Sequence, residues 1–337
     1  MKLTYGSLAA AGVAAITAAA IALPAQAATE LKVTTALGTK HDQSQAFLET
    51  FVKKMAEDES EVKLKYLGGP EVTPPRKQGA ALKRGLVDII MSPSTYYSAA
   101  QPEAKLTGIA NVPPQEWRKN GGYDIFAKAW AKRSNAIILG WGNFYTTQQF
   151  SIWLIDKPKL SKETGLDIRG LKMRSTALYT AFFKAMGAIP KTIDPAEVYT
   201  ALERGAVQGL AWPEGGVAFR GWQRFIKYRI FPGFFRSTTM ATMNKDKFDS
   251  LSKKAQAQII AAGLHYENAS GQLLKKKAQI DNEKLRKAGV QDYHLPPEYA
   301  KIYIDTILGA KWAEAEEQKF TVPLSELRSK LYKAAGS

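Results

Sequence analysis

The sequence predicts an α/β protein built as two similar lobes, with a ligand cleft between them. Three observations carry that expectation. Strand-like and helix-like runs alternate from residue 31 to residue 91, the order that builds an α/β layer with a parallel core. A helix–glycine–strand unit occurs twice, as Ala81-Leu82-Lys83-Arg84-Gly85-Leu86-Val87-Asp88 and as Ala201-Leu202-Glu203-Arg204-Gly205-Ala206-Val207-Gln208. Its separation of about 120 residues is too long for a solenoid repeat and fits one unit per lobe. Finally, 337 residues, 45% of them hydrophobic, suffice for two domains that each bury a core.

Taken in order, the first 27 residues read as a secretory leader. Met1-Lys2 gives a positive start, 8–23 is an uncharged Ala-rich run, and Pro24-Ala25-Gln26-Ala27 has the small residues of a cleavage site. The run falls short of the ~20 apolar residues of a membrane span. Ala28 is then the mature N-terminus, and no cysteine is present to carry a lipid, so a free periplasmic protein is expected. Residues 31–35 form a strand, Gly38-Thr39-Lys40-His41 a loop, and 42–57 a helix with Phe47, Phe51 and Met55 at helical spacing. A strand over 62–67 ends at Gly68-Gly69-Pro70. A helix follows Pro74-Pro75 and stops at Arg84, with Gly85 suited to a left-handed C-terminal position. Residues 86–91 are a short buried strand.

Further on, 137–141 is a strand, 150–155 a crossover between lobes, and 171–174 the opening of the second lobe. From Asp246 to Ala288 the pattern permits helix without proline. As one helix it would be about 60 Å long and cross both lobes; otherwise Gly263 or Gly271 divides it. The loops after the two matched strands, Ser92-Pro93-Ser94-Thr95-Tyr96-Tyr97 and Trp212-Pro213-Glu214-Gly215-Gly216, should face one cleft, because ligands of open α/β sheets bind beyond the carboxyl ends of the strands.

Composition removes several function classes. Without cysteine there is no disulfide scaffold, thiol nucleophile or iron–sulfur cluster. The three histidines, His41, His265 and His294, are far apart in sequence, so a helix-borne zinc pair cannot form. No nucleophile elbow or phosphate loop occurs, and Gly140-Trp141-Gly142 lacks the third glycine of a dinucleotide fingerprint. No catalytic residue, metal site or cofactor is therefore assigned. The net charge of +16 comes from basic residues spread along the chain. It suits attraction of small anions better than a nucleic-acid partner.

Arg174 is the leading candidate for ligand contact. At the end of a strand, its planar fork can hold a carboxylate through two parallel charge-assisted hydrogen bonds, a geometry lysine cannot reproduce; a structural salt bridge is the alternative. Trp212, Tyr96, Tyr97, Phe144 and Phe235 are candidate apolar walls, and His41 a candidate donor.

The run Asp167-Ile168-Arg169-Gly170-Leu171-Lys172-Met173-Arg174, with Met186-Gly187-Ala188 and the stretch from Pro195 to Gly209, resembles the signature of TRAP (tripartite ATP-independent periplasmic) transporter solute-binding proteins of the DctP type. Gly68-Gly69-Pro70, Gly85-Leu86-Val87-Asp88 and the long helical stretch after residue 246 match as well. The resemblance implies a two-lobed periplasmic-binding-protein fold with hinge strands and a long helix spanning both lobes. The expected division is 28–151 plus about 240–281 in lobe I, and 152–239 plus about 282–337 in lobe II. It further implies that Arg174 clamps the carboxylate of a small organic acid, and that the partners are the small and large permease subunits. Ala211-Trp212 stands where relatives that bind 2-oxo acids through a metal look like Glu-Trp. That departure favours an apolar or aromatic monocarboxylate, with the aromatic side chains as stacking partners. A metal-bridged 2-oxo acid, using Gln148 or Gln149, and an exported enzyme on the same fold are the alternatives.

Overall fold

The computed structural model describes residues 1, 28–57, 60–146 and 149–333. The leader expected over 1–27 lies outside them apart from its first residue, as does Gln148. Thirteen strands occur in chain order: β1 (Thr29–Thr35), β2 (Val62–Gly68), β3 (Ile89–Pro93), β4 (Ala136–Gly142), β5 (Phe150–Leu154), β6 (Lys159–Ser161), β7 (Gly165–Asp167), β8 (Lys172–Ser175), β9 (Ile189–Thr192), β10 (Gly209–Pro213), β11 (Tyr228–Phe231), β12 (Thr239–Asn244) and β13 (Gln291–His294).

They assemble into two large sheets. The first has the order β2-β1-β3-β12-β4 and the second β13-β11-β5-β10-β8-β9, while β6 and β7 form a small hairpin. In the first sheet β1 runs parallel to β2 and β3, and β12 is inserted antiparallel between β3 and β4. In the second, β8 runs parallel to β9 and β10, and β5 lies antiparallel beside β10. The chain thus crosses between sheets twice directly, from β4 to β5 and from β11 back to β12, and a third time from β12 to β13 through the intervening helices. The run expected as a crossover at 150–155 is strand β5 itself, fully buried, and the crossing lies just before it.

The sequence repeat is a structural repeat down to its hydrogen bonds. Gly85 and Gly205 end their helices in the left-handed region, at φ +71° and +65°. Each donates to a leucine carbonyl three residues back, Leu82 or Leu202. The Asp88 carboxylate accepts from the Lys32 amide at 2.7 Å, and the Gln208 amide oxygen accepts from the Lys172 amide at 2.9 Å. In return the backbone N–H groups of Asp88 and Gln208 donate to the carbonyls of Lys32 and Lys172. One side chain therefore sets the register of each parallel strand pair, and β3 and β10 end alike on prolines, Pro93 and Pro213.

The stretch after residue 246 resolves into a short helix, Lys245–Asp249, and one unbroken helix, Lys253–Lys287, about 52 Å long at 1.5 Å per residue. Ala255, Ile259, Ala262 and Tyr266 bury in the core of the first sheet, whereas Leu285 joins the core beside the second. Its glycines do not break it; they admit other backbone. A Cβ on Gly263 would stand 2.3 Å from the Leu139 carbonyl oxygen, and one on Gly271 2.0 Å from that of Phe144, in the crossing segment. Further along, the Asp281 carboxylate accepts from the amides of Val217, Ala218 and Phe219, fixing the loop after β10 to the helix.

The helix Pro297–Glu316 packs on Thr180–Ala185 and β7. The last helix, Leu324–Leu331, which the sequence groups with the second lobe, lies instead against Pro114–Asn120 and Gly122–Ser134 beside the first sheet. The Leu331 carbonyl there accepts from the amides of Asn111 and Val112. No described helix is long and apolar enough to cross a membrane.

Two glycines separate close packing from propensity. Gly271→Ala forces a methyl into the Phe144 carbonyl, and overpacking of this kind costs about 1–3 kcal/mol. Gly309→Ala, on the helix Pro297–Glu316, meets nothing within 4 Å and should gain up to ~1 kcal/mol of helix propensity. Thermal melts are expected to show a lower midpoint for the first variant and an unchanged or higher one for the second.

Candidate functional site

Arg174 sits near the carboxyl end of the parallel trio β9-β8-β10, in register with Lys191 and Leu210. Met173 beside it goes into the hydrophobic core, whereas the Arg174 side chain reaches the cavity between the sheets. It is only 1% exposed. Its Nε donates to the Ile193 carbonyl at 2.9 Å, and Nη1 has no hydrogen-bond partner. Among the described residues no carboxylate forms an ion pair with it, the adjacent Asp194 being paired with Arg76 instead. Burial pulls its pKa below the usual arginine value, opposed by the Tyr179 and Tyr96 hydroxyls, yet a guanidinium stays charged at any physiological pH.

The cavity in front of this group has an empty volume of about 560 Å³, its open mouth included. Trp212 forms one wall, with its ring centre 5.1 Å from the Arg174 guanidinium carbon. The indole is held by its own Nε1 donating to the Gly215 carbonyl at 3.2 Å, while the Trp212 carbonyl accepts from Trp153 Nε1 at 3.1 Å. Tyr96, Tyr179, Phe150 and Leu178 supply the other walls. Arg236 lines this inner space too, and no Asp or Glu does, so its positive charge is uncompensated.

Toward the mouth, the cavity meets a wider vestibule. The loop around Leu37 and His41 flanks it on one side, and Asp194, Pro195 and Arg220 on the other. His41 caps the helix Asp42–Phe47, its Nδ1 accepting from the Gln43 amide at 3.2 Å. The neutral ring then carries its proton on Nε2, which makes it a donor. Burial first, and the charge of Arg220 second, hold its pKa well below 6.5. Arg220 stands 5.1 Å from the Trp212 ring centre and 5.6 Å from that of Trp222, and its Nη1 donates to the Gly216 carbonyl. Burial pushes Arg220 down to about 10, against the pull of Asp42 and Asp281.

Of the eight residues singled out from sequence, Arg174, Trp212, Tyr96 and His41 line this cavity; the other four do not. Tyr97 faces the core, with its hydroxyl 2.8 Å from that of Thr242 and its ring against Trp130. Successive residues of the short helix Ser94–Tyr97 point to different sides, which a list of loop aromatics could not show. Phe144 lies over the Arg236 guanidinium. Phe235, at φ +36°, packs on Phe182 and Phe234. Gln149 braces the crossing: its Nε2 donates to the Asn143 carbonyl and its Oε1 accepts from the Ser237 amide, leaving its amide committed to the backbone behind Trp212.

The sequence reading missed Tyr179, Phe150, Leu178 and Arg220. Tyr179 follows Arg174 by five residues at the start of a helix, so the strand–helix junction that pointed to Arg174 could have pointed to it. Arg220 lies in an aperiodic stretch and gave no signal. Among the described residues, no group of three or more His, Asp or Glu side chains is placed to hold a metal ion.

Comparison with known proteins agrees with this arrangement. Residues 163–319 match the DctP family model, described as bacterial extracellular solute-binding protein, family 7. The 2,3-diketo-L-gulonate-binding periplasmic protein YiaO of Escherichia coli is 28% identical over 131 residues, which are 38% of this chain and 40% of that protein. Two crystal structures share the fold at low identity. DctP7 of Bordetella pertussis, an extracytoplasmic solute receptor binding pyroglutamic acid, superposes with a TM-score of 0.74 at 16% identity, covering 91% of this chain and 100% of that one. A TRAP periplasmic solute-binding protein of Desulfovibrio salexigens with bound orotic acid gives 0.73 at 18%, covering 89% and 94%. With its two-sheet architecture, its unpaired arginine at the cleft and a family match over residues 163–319, the chain is similar to DctP-type solute-binding proteins of TRAP transporters.

Proposed function

We propose that this protein captures a small organic monocarboxylate with an apolar or aromatic body and delivers it to the small and large subunits of a TRAP permease. It would act in the periplasm after loss of its leader, as a carrier that leaves its ligand chemically unchanged. The observation behind this reading is the charge of the inner cavity: two buried arginines, Arg174 and Arg236, on the lining, no acidic side chain there, and an Arg174 fork with an unpartnered Nη1. Leaving such a group dry and unpaired is costly. A ligand carboxylate accepting from the fork supplies both the missing hydrogen bond and the missing charge.

The rest of the lining suits an apolar body. Trp212, Phe150, Leu178 and Tyr179 surround the arginine, and an aromatic ligand stacked on such walls gains about 0.5–1.5 kcal/mol per pair beyond burial. Pyroglutamic and orotic acids, bound by the two structural relatives, each carry a single carboxyl group on a ring. The lobes would divide near the two direct crossings between the sheets. Closure is favoured because the ligand touches Arg174 from one side and the His41 and Tyr96 loops from the other.

Two measurements test this reading. By calorimetry, Arg174→Ala should lose about 2–5 kcal/mol of affinity for a monocarboxylate, and Arg174→Lys should recover only part of it because lysine lacks the fork. Undiminished binding in Arg174→Ala would refute the clamp.

The second concerns pH. His41 is held neutral in the closed site, so closing releases the proton of a charged imidazole. With the pKa lowered in the closed form, affinity is full above the ordinary histidine value of about 6.5 and declines as pH falls below it toward the lowered value. Asp42, whose burial raises its pKa, acts in the opposite sense from its lower starting value. His41→Asn keeps the helix cap and should flatten the decline between pH 7 and pH 5.5; an unchanged slope would remove His41 from the linkage.

A further inference from the structure

An ion pair spans the mouth of the cleft. Arg76, on the turn Pro75–Lys77 beside the first sheet, pairs through Nη1 with Oδ1 of Asp194, which follows β9 of the second sheet. Each side chain is a little over one-third exposed. The Arg76 guanidinium also stacks on Tyr96, with its carbon 5.0 Å from the ring centre, and Tyr96 is a wall of the inner cavity. Asp194 is the residue after Ile193, whose carbonyl holds Arg174 Nε. Two guanidinia and one carboxylate therefore meet around a single tyrosine, and the carboxylate belongs to Arg76.

We infer that Asp194 is the residue that restricts this site to ligands with one carboxylate, by occupying Arg76 and so denying the ligand a second clamp beside Arg174 at Tyr96. The inference rests on the monocarboxylate reading and adds the source of the selectivity. Because its partners sit on opposite sides of the cleft, the pair forms only when the sheets approach as they do here, so it also holds the closed arrangement. Without Arg76, Asp194 would remain beside Arg174 as an unpaired carboxylate, competing with the ligand for the fork. Without the Asp194 charge, Arg76 would be free to take a second carboxylate. The side chain of Asp194 also forms a capping box with Glu197, a role asparagine preserves, so Asp194→Asn isolates the charge.

The test uses the mature chain, calorimetry and probes differing by one carboxylate: benzoate against phthalate, and butyrate against glutarate. In the wild type the monocarboxylate of a pair should bind more tightly. Asp194→Asn should shift the ratio toward phthalate by at least about tenfold, the scale of one close charge pair. Arg76→Gln should weaken monocarboxylate binding about tenfold, and Arg76→Gln/Asp194→Asn should restore most of that loss, since the competing carboxylate has gone. A double variant as weak as Arg76→Gln, or an unmoved ratio in Asp194→Asn with the wild type still favouring monocarboxylates, overturns the inference and leaves the proposed function standing. A wild type that prefers the dicarboxylates overturns the monocarboxylate reading and this inference with it. A readout that needs no ligand is the double-mutant cycle of the same substitutions in thermal midpoint, where coupling supports a pair across the cleft and strict additivity overturns it.

Discussion

The cleft is organised by one electrostatic debt, a guanidinium taken almost wholly out of water without an anion to match it. Three other buried or half-buried arginines are paired conventionally: Arg118 with Glu267, Arg133 with Glu103, and Arg229 with Asp292. Arg236 is buried too and its Nη2 is likewise without a partner, but its Nε and Nη1 donate to the carbonyls of Thr107 and Val112, and its cation lies over Trp117. Arg174 has one such carbonyl and then open cavity. Folding alone does not reward that arrangement, because an unpaired buried charge destabilises the native state. A ligand that settles the charge is the economical reason for it.

Holding that charge at the join of two sheets needs a frame that fixes the fork and still lets the sheets approach and part. The two direct crossings and the long helix supply it. The helix touches the first sheet through Leu139 and the crossing through Phe144, where only glycine permits contact, and it grips the loop after β10 through Asp281. That loop carries Gly215, whose carbonyl holds the Trp212 indole. The wall of the site is thus tied to an element anchored in both cores. This gives a physical route by which a small ligand contact can be felt along the length of the molecule.

Much of this was readable from residues alone, and the exceptions are instructive. The repeat around Gly85 and Gly205 showed because a left-handed C-terminal glycine, a leucine three residues before it and a register-setting Asp or Gln after it are each required by local geometry. Arg174 showed because a charge beside an apolar strand is conspicuous. Tyr97, Phe144, Gln149 and Phe235 were misplaced because their direction depends on tertiary packing: a one-residue step along a short helix sends Tyr96 to the cavity and Tyr97 to the core. The unbroken helix was ambiguous because a glycine weakens a helix in isolation, and only the opposing carbonyls of Leu139 and Phe144 show what those two glycines are for.

The repeat also explains why the cleft is asymmetric. Asp88 and Gln208 hold Lys32 and Lys172 in the same way, so two residues beyond each lysine Thr34 and Arg174 occupy equivalent positions on β1 and β8. Thr34 spends its hydroxyl on the Gly68 carbonyl at 2.7 Å and presents no charge. The matched position in the other sheet carries the arginine. Two copies of one unit, each bearing a cation there, would repel across the gap and demand a dianion between them. On the proposed reading a carboxylate docks at this copy of the repeat, and its apolar remainder is left for the opposite face to cover. Orientation of the ligand, and the order in which the two halves meet it, then follow from which copy of the repeat kept the guanidinium.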